Sequence, residues 1–409
     1  MIRPLIIFLL VLPFGAAGQD LDLVSRHLKE LTDSSLFGRG YVNNGSNWAA
    51  DYLVEQYELL SLRMPEKGFQ QKFSMEVNTY PHDLHVSLDG RALKPGYDFI
   101  VNPRTGSSAG SYPFAVLDST NFQEMPALFD GDTIPVVNMQ GIDSPNEASN
   151  LFEYKKIILA SKPVVLLEDK LTWSVGNQVF DQAEISLLSE SFEYEMDSIS
   201  LSIHNEMRLV EVANVVGYIP GRRSDSTIVF TAHYDHLGMM GSALFPGASD
   251  NASGTSMLLD LAHHYSQQTP EFTTWFICFA GEEAGLAGSR YFVENPLLDL
   301  KGVKLLINLD LMGSASKGIA VVNGKKYLQI IDKLSEINTE KNLVERIKIR
   351  GQAANSDHYW FAEKGVPAIF IYTMGSITAY HDVYDTHEVV DWERYPEVFK
   401  LITEFVSAL

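Results

Sequence analysis

Residues 274–286 read Thr274-Trp275-Phe276-Ile277-Cys278-Phe279-Ala280-Gly281-Glu282-Glu283-Ala284-Gly285-Leu286. The apolar run 275–280 has the length of a strand. It ends in two adjacent acids, which repel one another unless cations or hydrogen bonds compensate. Adjacency also sends the two carboxylates in different directions, so that one can hold a metal while the other moves a proton. A solvated acidic turn would look the same in isolation.

Working outward, the pattern repeats from about Asn214 onward. Strands are predicted at Val215–Tyr218, Ile228–His233, Thr274–Ala280, Val303–Leu309, Ile319–Val322, Ile347–Ile349 and Ala368–Tyr372. Helices are predicted between them at Gly254–Gln267, Leu286–Glu294, Tyr327–Thr339, Asp357–Glu363 and Glu393–Leu409. Such alternation implies an α/β fold, a mainly parallel mixed sheet flanked by helices. In that architecture ligands gather at the carboxyl ends of strands.

Upstream the texture differs. Leu21–Leu31 and Trp48–Leu62 carry apolar residues at helical spacing, with Ser46 or Asn47 as the expected cap of the second. From Phe69 short apolar runs such as Phe99-Ile100-Val101, Pro135-Val136-Val137 and Pro163–Leu167 are broken by Pro, Gly, Asn and Asp. They predict an inserted, mostly β unit over residues 76–205. The catalytic unit is then assembled from residues 19–75 and 206–409.

Composition narrows the class. A chain of 409 residues is long for one average domain, and 45% hydrophobic with 20% charged residues excludes a disordered polymer. The net charge of −21 would repel nucleic acid, so no nucleic-acid partner is expected. Arg3, the apolar run Leu5–Phe14 and the small residues Gly15–Gly18 read as a signal peptide over residues 1–18, cut before Gln19. The expected product is secreted or periplasmic, with no stable membrane anchor after cleavage. Cys278 is the sole cysteine, so no intramolecular disulfide forms, and its apolar run marks it as a buried hydrophobe without a catalytic role.

Four more polar clusters accompany the strands. His233 and Asp235 follow the Thr227–Thr231 run, and two-residue alternation points them to the same side, as for a metal-binding imidazole held by a carboxylate. Asp250 lies in Gly247–Gly254 directly before a helix, where it or Ser253 would serve equally as a cap, or where one carboxylate would bridge two metals. Asp310 ends the 303–309 run, and His381 lies in the loop after 368–372. Each has an ordinary structural explanation alone. Together, in this order, they form a donor set of nitrogen and oxygen that suits zinc.

At this point AHYDHLG (232–238), GASDNASG (247–254), AGEEAGLAGS (280–289), NLDLMG (308–313) and YHDVYDT (380–386) resemble the five landmarks of the M28 family of zinc peptidases. The resemblance implies two zinc ions per chain, one held by His233 and Asp310, the other by Glu283 and His381, with Asp250 bridging. It implies Glu282 as general base, Asp235 as the orienting carboxylate behind His233, and Tyr380 as a donor to the substrate carbonyl. The implied reaction is hydrolysis at the free N-terminus of peptide substrates by water activated between metals about 3.5–4 Å apart.

The insert resembles a protease-associated domain less closely, chiefly at Leu93–Phe99 and Val164–Leu167. Asn355 stands where some relatives carry a basic residue before Ser-Asp, which leaves open how a substrate carboxylate is received. His236, His263, His264, His358 and His387 are read as non-ligands. Two other functions share the scaffold: a one-zinc glutaminyl cyclase, and a binding protein that has lost catalysis. The full set of ligands and the base favour the peptidase.

Overall fold

A computed structural model describes residues 21–128, 131–142 and 144–409. The signal-peptide expectation for residues 1–18 lies outside them. Among the described residues no helix is long and apolar enough to cross a membrane.

The acid-tipped strand that decided the fold runs Phe272–Phe279 and lies third in an eight-stranded sheet. The order across this sheet is Gln70–Thr79, Glu206–Ile219, Phe272–Phe279, Arg223–His233, Val303–Leu309, Ala368–Thr373, Ile319–Val322, Ile347–Ile349. The four strands from Phe272–Phe279 to Ala368–Thr373 are mutually parallel. Their carboxyl ends therefore share one edge, the side on which α/β sheets bind ligands. Antiparallel pairings add the Gln70–Thr79 and Glu206–Ile219 ribbon at one end. Ile319–Val322 joins antiparallel at the other.

Helices cover the sheet because their apolar faces need burial. Ser253–Ser266 is buried almost throughout, packed with Leu21–Leu31, Gly45–Leu59 and Tyr395–Ser407 against one face. Ala287–Glu294 and His358–Glu363 bury Phe292 and Phe361 against Ile277, Phe279 and Leu306 on the other. Cys278 is buried, with its sulfur 3.3 Å from the Tyr57 hydroxyl. Burial pushes its thiol up to about 12, so it remains an unreactive thiol.

One local expectation is corrected. The second helix begins at Gly45, so Ser46 and Asn47 lie inside it and cap nothing; Asn44 precedes it in a left-handed conformation without a side-chain cap. The unit between the two halves is mostly β, with one α-helix among its described residues. It holds a second eight-stranded sheet, whose strands Ser108–Leu117, Ile134–Asn138, Val164–Glu168 and Glu184–Leu188 run parallel. Parallel neighbours need crossovers, and helix Pro145–Ile158 supplies one. Ser144 and Glu147 form a capping box at its start, contributing about 1 kcal/mol.

The two units share a core. Leu237, Phe245 and Val383 of the outer segments pack in one cluster with Tyr80, Phe99, Val101 and Trp173. Gly96 makes the approach close, since a Cβ there would lie 2.7 Å from the Val383 side chain.

Candidate active site

Each predicted acid and imidazole lies at the carboxyl edge of the parallel strands. His233 closes its strand, Glu282 and Glu283 follow Phe279, and Asp310 follows Leu309. Asp250 and His381 come from loops that fold over that edge.

His233 and His381 both turn Nε2 toward the acids. His233 Nε2 lies 3.3 Å from Asp250 Oδ1 and 3.5 Å from Asp310 Oδ1. His381 Nε2 lies 3.0 Å from Asp250 Oδ2 and 3.4 Å from Glu283 Oε1. The five side chains thus divide into two trios that share Asp250, one of its oxygens serving each. The donor atoms of His233, Glu282 and Asp310 also lie within 4.8 Å of one another, which puts Glu282 beside the first trio.

The chemistry of this set fits divalent cations. Carboxylates gathered in a buried site repel one another, and burial alone pushes each toward its neutral form. Burial raises the Glu283 carboxyl, but His381 and His236 outweigh it and bring the group down to about 2. Burial lowers His381, but Glu283 and Asp250 outweigh it and lift the imidazole to about 11. Protonated histidines here supply the positive charge that bound cations would supply, and zinc accepts both nitrogen and carboxylate donors. Burial, and then the carboxylates of Glu283, Asp357 and Asp310, push Glu282 well above the ordinary range against the pull of His233.

Supporting contacts fix these orientations. His381 Nδ1 donates to the Trp173 carbonyl at 2.9 Å, and Trp173 N–H donates back to the His381 carbonyl at 2.9 Å. The Trp173 indole donates in turn to the Val101 carbonyl at 2.9 Å, inside the inserted unit. Lys170 donates to the Thr378 carbonyl at 3.0 Å and pairs with Asp382 at 3.4 Å. The insert therefore grips the His381 loop from outside. Trp173→Ala keeps that carbonyl but removes the indole anchor on Val101 that positions it, so, with outer partners tuning affinity about 10–100-fold, it should raise the dissociation constant of a bound zinc by up to that factor, measured by competition with a chromophoric chelator.

Asp310 Oδ2 accepts from Ser356 Oγ at 2.8 Å. Ser356 accepts from Asn308, and Thr231 donates to Asn308. This chain leaves Asp310 Oδ1 facing His233. Asp385 accepts from the backbone N–H groups of Ser249 and Asp250 at 2.8 and 3.0 Å, holding the loop that carries Asp250. Asp250 is not a helix cap; the first helical turn is served instead by Asn251, whose side-chain oxygen accepts from Gly254 N–H at 3.0 Å.

Asp235 takes a different place from the one alternation predicts. The strand ends at His233, so the period-two pattern stops before Asp235. The contact to His233 Nδ1 is made by the Asp235 backbone carbonyl at 3.2 Å, while the carboxylate is 3.9 Å away. That carboxylate accepts from the Tyr41 hydroxyl at 2.6 Å and from the N–H groups of Glu282 and Glu283 at 3.2 and 3.3 Å. It thus aims the acidic pair. Tyr380 stacks on His381 with ring centroids 4.0 Å apart, and burial and the nearby acids push its phenol up, leaving it a proton donor.

Sequence reasoning passed over several supports. Arg39, fully buried, donates at 2.7 Å to each of the carbonyls of Leu31, Tyr234, Pro246 and Gly247. A charged residue between two glycines, Gly38-Arg39-Gly40, was its signal. His236 lies with Nδ1 2.9 Å from Glu283 Oε1 and so orients that acid. His263, His264, His358 and His387 make no contact with the five candidate ligands in the described contacts.

The site opens into a cleft of about 480 Å³ lined by Ser174, Leu286, Leu311, Arg350, Asn355, Phe370, Tyr372 and Tyr380 besides the acids and histidines. Clefts of about 500 and 580 Å³ elsewhere on the surface hold no comparable donor set. Chemistry rather than size singles this one out.

Comparison with known proteins agrees with this geometry. The chain is 30% identical over 191 residues to aminopeptidase YwaD of Bacillus subtilis, covering 44% of this chain and 40% of that protein. It is 30% identical over 226 residues to a glutamate carboxypeptidase 2 homolog of Caenorhabditis elegans, covering 46% and 28%. The chain thus spans less than half the length of these curated relatives. Among solved structures the fold matches the zinc aminopeptidase BSAP from Bacillus subtilis with a TM-score of 0.71 at 20% identity, covering 96% of this chain and 95% of that one. The aminopeptidase from Aneurinibacillus sp. strain AM-1 matches with a TM-score of 0.66 at 17% identity over 96% and 94%. The sequence profile of peptidase family M28 matches residues 214–406, which therefore belong to that family.

Proposed function

We propose that the protein is an exported zinc metallopeptidase that releases N-terminal residues from peptides. The observation that carries this reading is the pair of donor trios sharing Asp250, with Glu282 beside one of them and a cleft leading in. His233, Asp250 and Asp310 would hold one zinc, and Asp250, Glu283 and His381 the other. Bound there, the two ions would supply Lewis acidity toward a carbonyl and an acidified water.

The chain's own residues complete the chemistry. Glu282 accepts the proton of the attacking water and hands it to the departing amine. The Tyr380 hydroxyl donates to the carbonyl oxygen as negative charge develops there. The acid-rich site, through carboxylates such as Glu282, receives the substrate's free ammonium. Trp173 and Ser174 give the inserted unit, read as protease-associated-like, a part in shaping the entrance.

The test is metal analysis combined with a panel of aminoacyl amides, N-blocked peptides and N-terminal glutamine peptides. Two metals per chain with cleavage of unblocked amides supports the proposal. One metal with cyclisation of glutamine peptides, or cleavage indifferent to N-terminal blocking, overturns it.

A further inference from the structure

Arg350 is the only Lys or Arg among the residues lining the cleft, and it comes from a part of the chain that the catalytic motifs do not include. It follows the strand Ile347–Ile349 directly, and its backbone is fixed on both sides. Its N–H donates to the Val321 carbonyl at 2.8 Å and its carbonyl accepts from Lys325 N–H at 3.1 Å. The neighbouring strand Ile319–Val322 pairs with Ala368–Thr373, which carries Phe370 and Tyr372 into the same cleft. Arg350, Phe370 and Tyr372 are thus one rigid wall.

The guanidinium spends one donor on the Tyr372 hydroxyl at 2.9 Å and lies 5.7 Å from that ring's centroid. Among the described residues it makes no ion pair and no other side-chain hydrogen bond. Arg carries five N–H donors in a fork that matches a carboxylate, so most of its bonding capacity faces the cleft unused. Tyr372, accepting from Arg350, keeps its own proton to donate.

Charge balance points the same way. The cleft's acids are Asp250, Glu282, Glu283 and Asp310. Two divalent cations, as proposed above, would neutralise those four carboxylates and leave the Arg350 charge over. A partly desolvated, uncompensated cation favours an anionic guest. Asn355, also on the lining, has no charge to offer one.

We infer that Arg350, with the Tyr372 hydroxyl, is a specificity-determining pair that receives a substrate carboxylate. The carboxylate is either the side chain of an acidic N-terminal residue or the chain terminus of a short peptide. This inference rests on the proposed peptidase reading. It makes the preferred substrates acidic or short, in spite of the acids of the site.

The experiment compares kcat/KM for glutamyl against glutaminyl amides, and for free against amidated neutral dipeptides, with the metal-loaded protein. A preference of about tenfold or more for the carboxylate in one pair identifies which source is bound, since tenfold corresponds to about 1.4 kcal/mol for a charge-assisted contact. Arg350→Gln should bring that ratio to within about threefold of unity, and Arg350→Glu should invert it. Raised salt should shrink the wild-type ratio. Equal rates within both pairs, or an unchanged ratio in Arg350→Gln, overturn the inference while leaving the peptidase intact. If nothing is cleaved, the proposed function fails. Calorimetric titration with glutamate against glutamine then decides on Arg350 alone, with tighter glutamate binding lost in Arg350→Gln as the supporting result and equal binding as the refuting one.

Discussion

Glu282→Gln should leave the protein folded and metal-loaded while lowering turnover about 10²–10⁴-fold, the range a general base contributes. Gln has the same shape and keeps the backbone N–H that Asp235 accepts, so the arrangement around Glu283 survives. It cannot take a proton. Metal content by emission spectroscopy and kcat with an unblocked amide decide the matter. Turnover close to wild type would remove Glu282 from the mechanism, and loss of metal would recast it as a ligand. Tyr380→Phe in the same assay should lose less, about tenfold or somewhat more, because the stacked ring stays and only one donor to the carbonyl oxygen is gone.

The second large effect is on stability. Arg39→Met is expected to cost about 3–5 kcal/mol, since it removes a buried charged group and leaves the carbonyls of Leu31, Tyr234, Pro246 and Gly247 without their donor. For a domain of 150–250 residues each kcal/mol moves the melting temperature by about 2–4 °C, so a fall on the order of 10 °C is expected by calorimetry. Burial lowers the Arg39 guanidinium to about 10, with Asp385 and then Asp235 pulling it back, so it stays charged at neutral pH. Its folded value lies below the usual one, so this group's electrostatic balance does not favour stability at neutral pH. The cost of the substitution comes from the orphaned carbonyls. Arg39→Lys, which reaches fewer of them, should recover only part of the loss. A melting temperature unchanged in Arg39→Met would show that water replaces the guanidinium without penalty.

What could be read in advance follows from what kind of signal each element leaves. The parallel strands were legible because both of their faces are buried, and an unbroken run such as Val303–Leu309 or Ala368–Thr373 has few other readings. The outer half of Glu206–Ile219 was not, because none of the residues Glu206–Glu211 is buried, Leu209 being 74% exposed, and without a buried face no apolar run marks the strand. Helix Pro145–Ile158 buries only Leu151 and Ile158, too few to show a periodic face, although Ser144-x-x-Glu147 announced its start. At the site, the ligand candidates were legible through residue type and order. Their supports were not. Trp173 acts through its carbonyl and Arg39 on four carbonyls, and a main-chain carbonyl is the same in every residue. Arg350 was hidden because only the pairing of Ile319–Val322 with Ala368–Thr373 brings it to the cleft.

The double hydrogen bond between Trp173 and His381 joins positions 208 apart in the chain. It makes metal loading and the folding of the inserted unit parts of one thermodynamic cycle. An ion that binds His381 only in the folded state stabilises whatever holds that histidine, by an amount that grows with ion concentration. Heat therefore reads metal content: the loaded protein is expected to melt at a higher temperature than the chelated one, by a margin that grows with ion concentration.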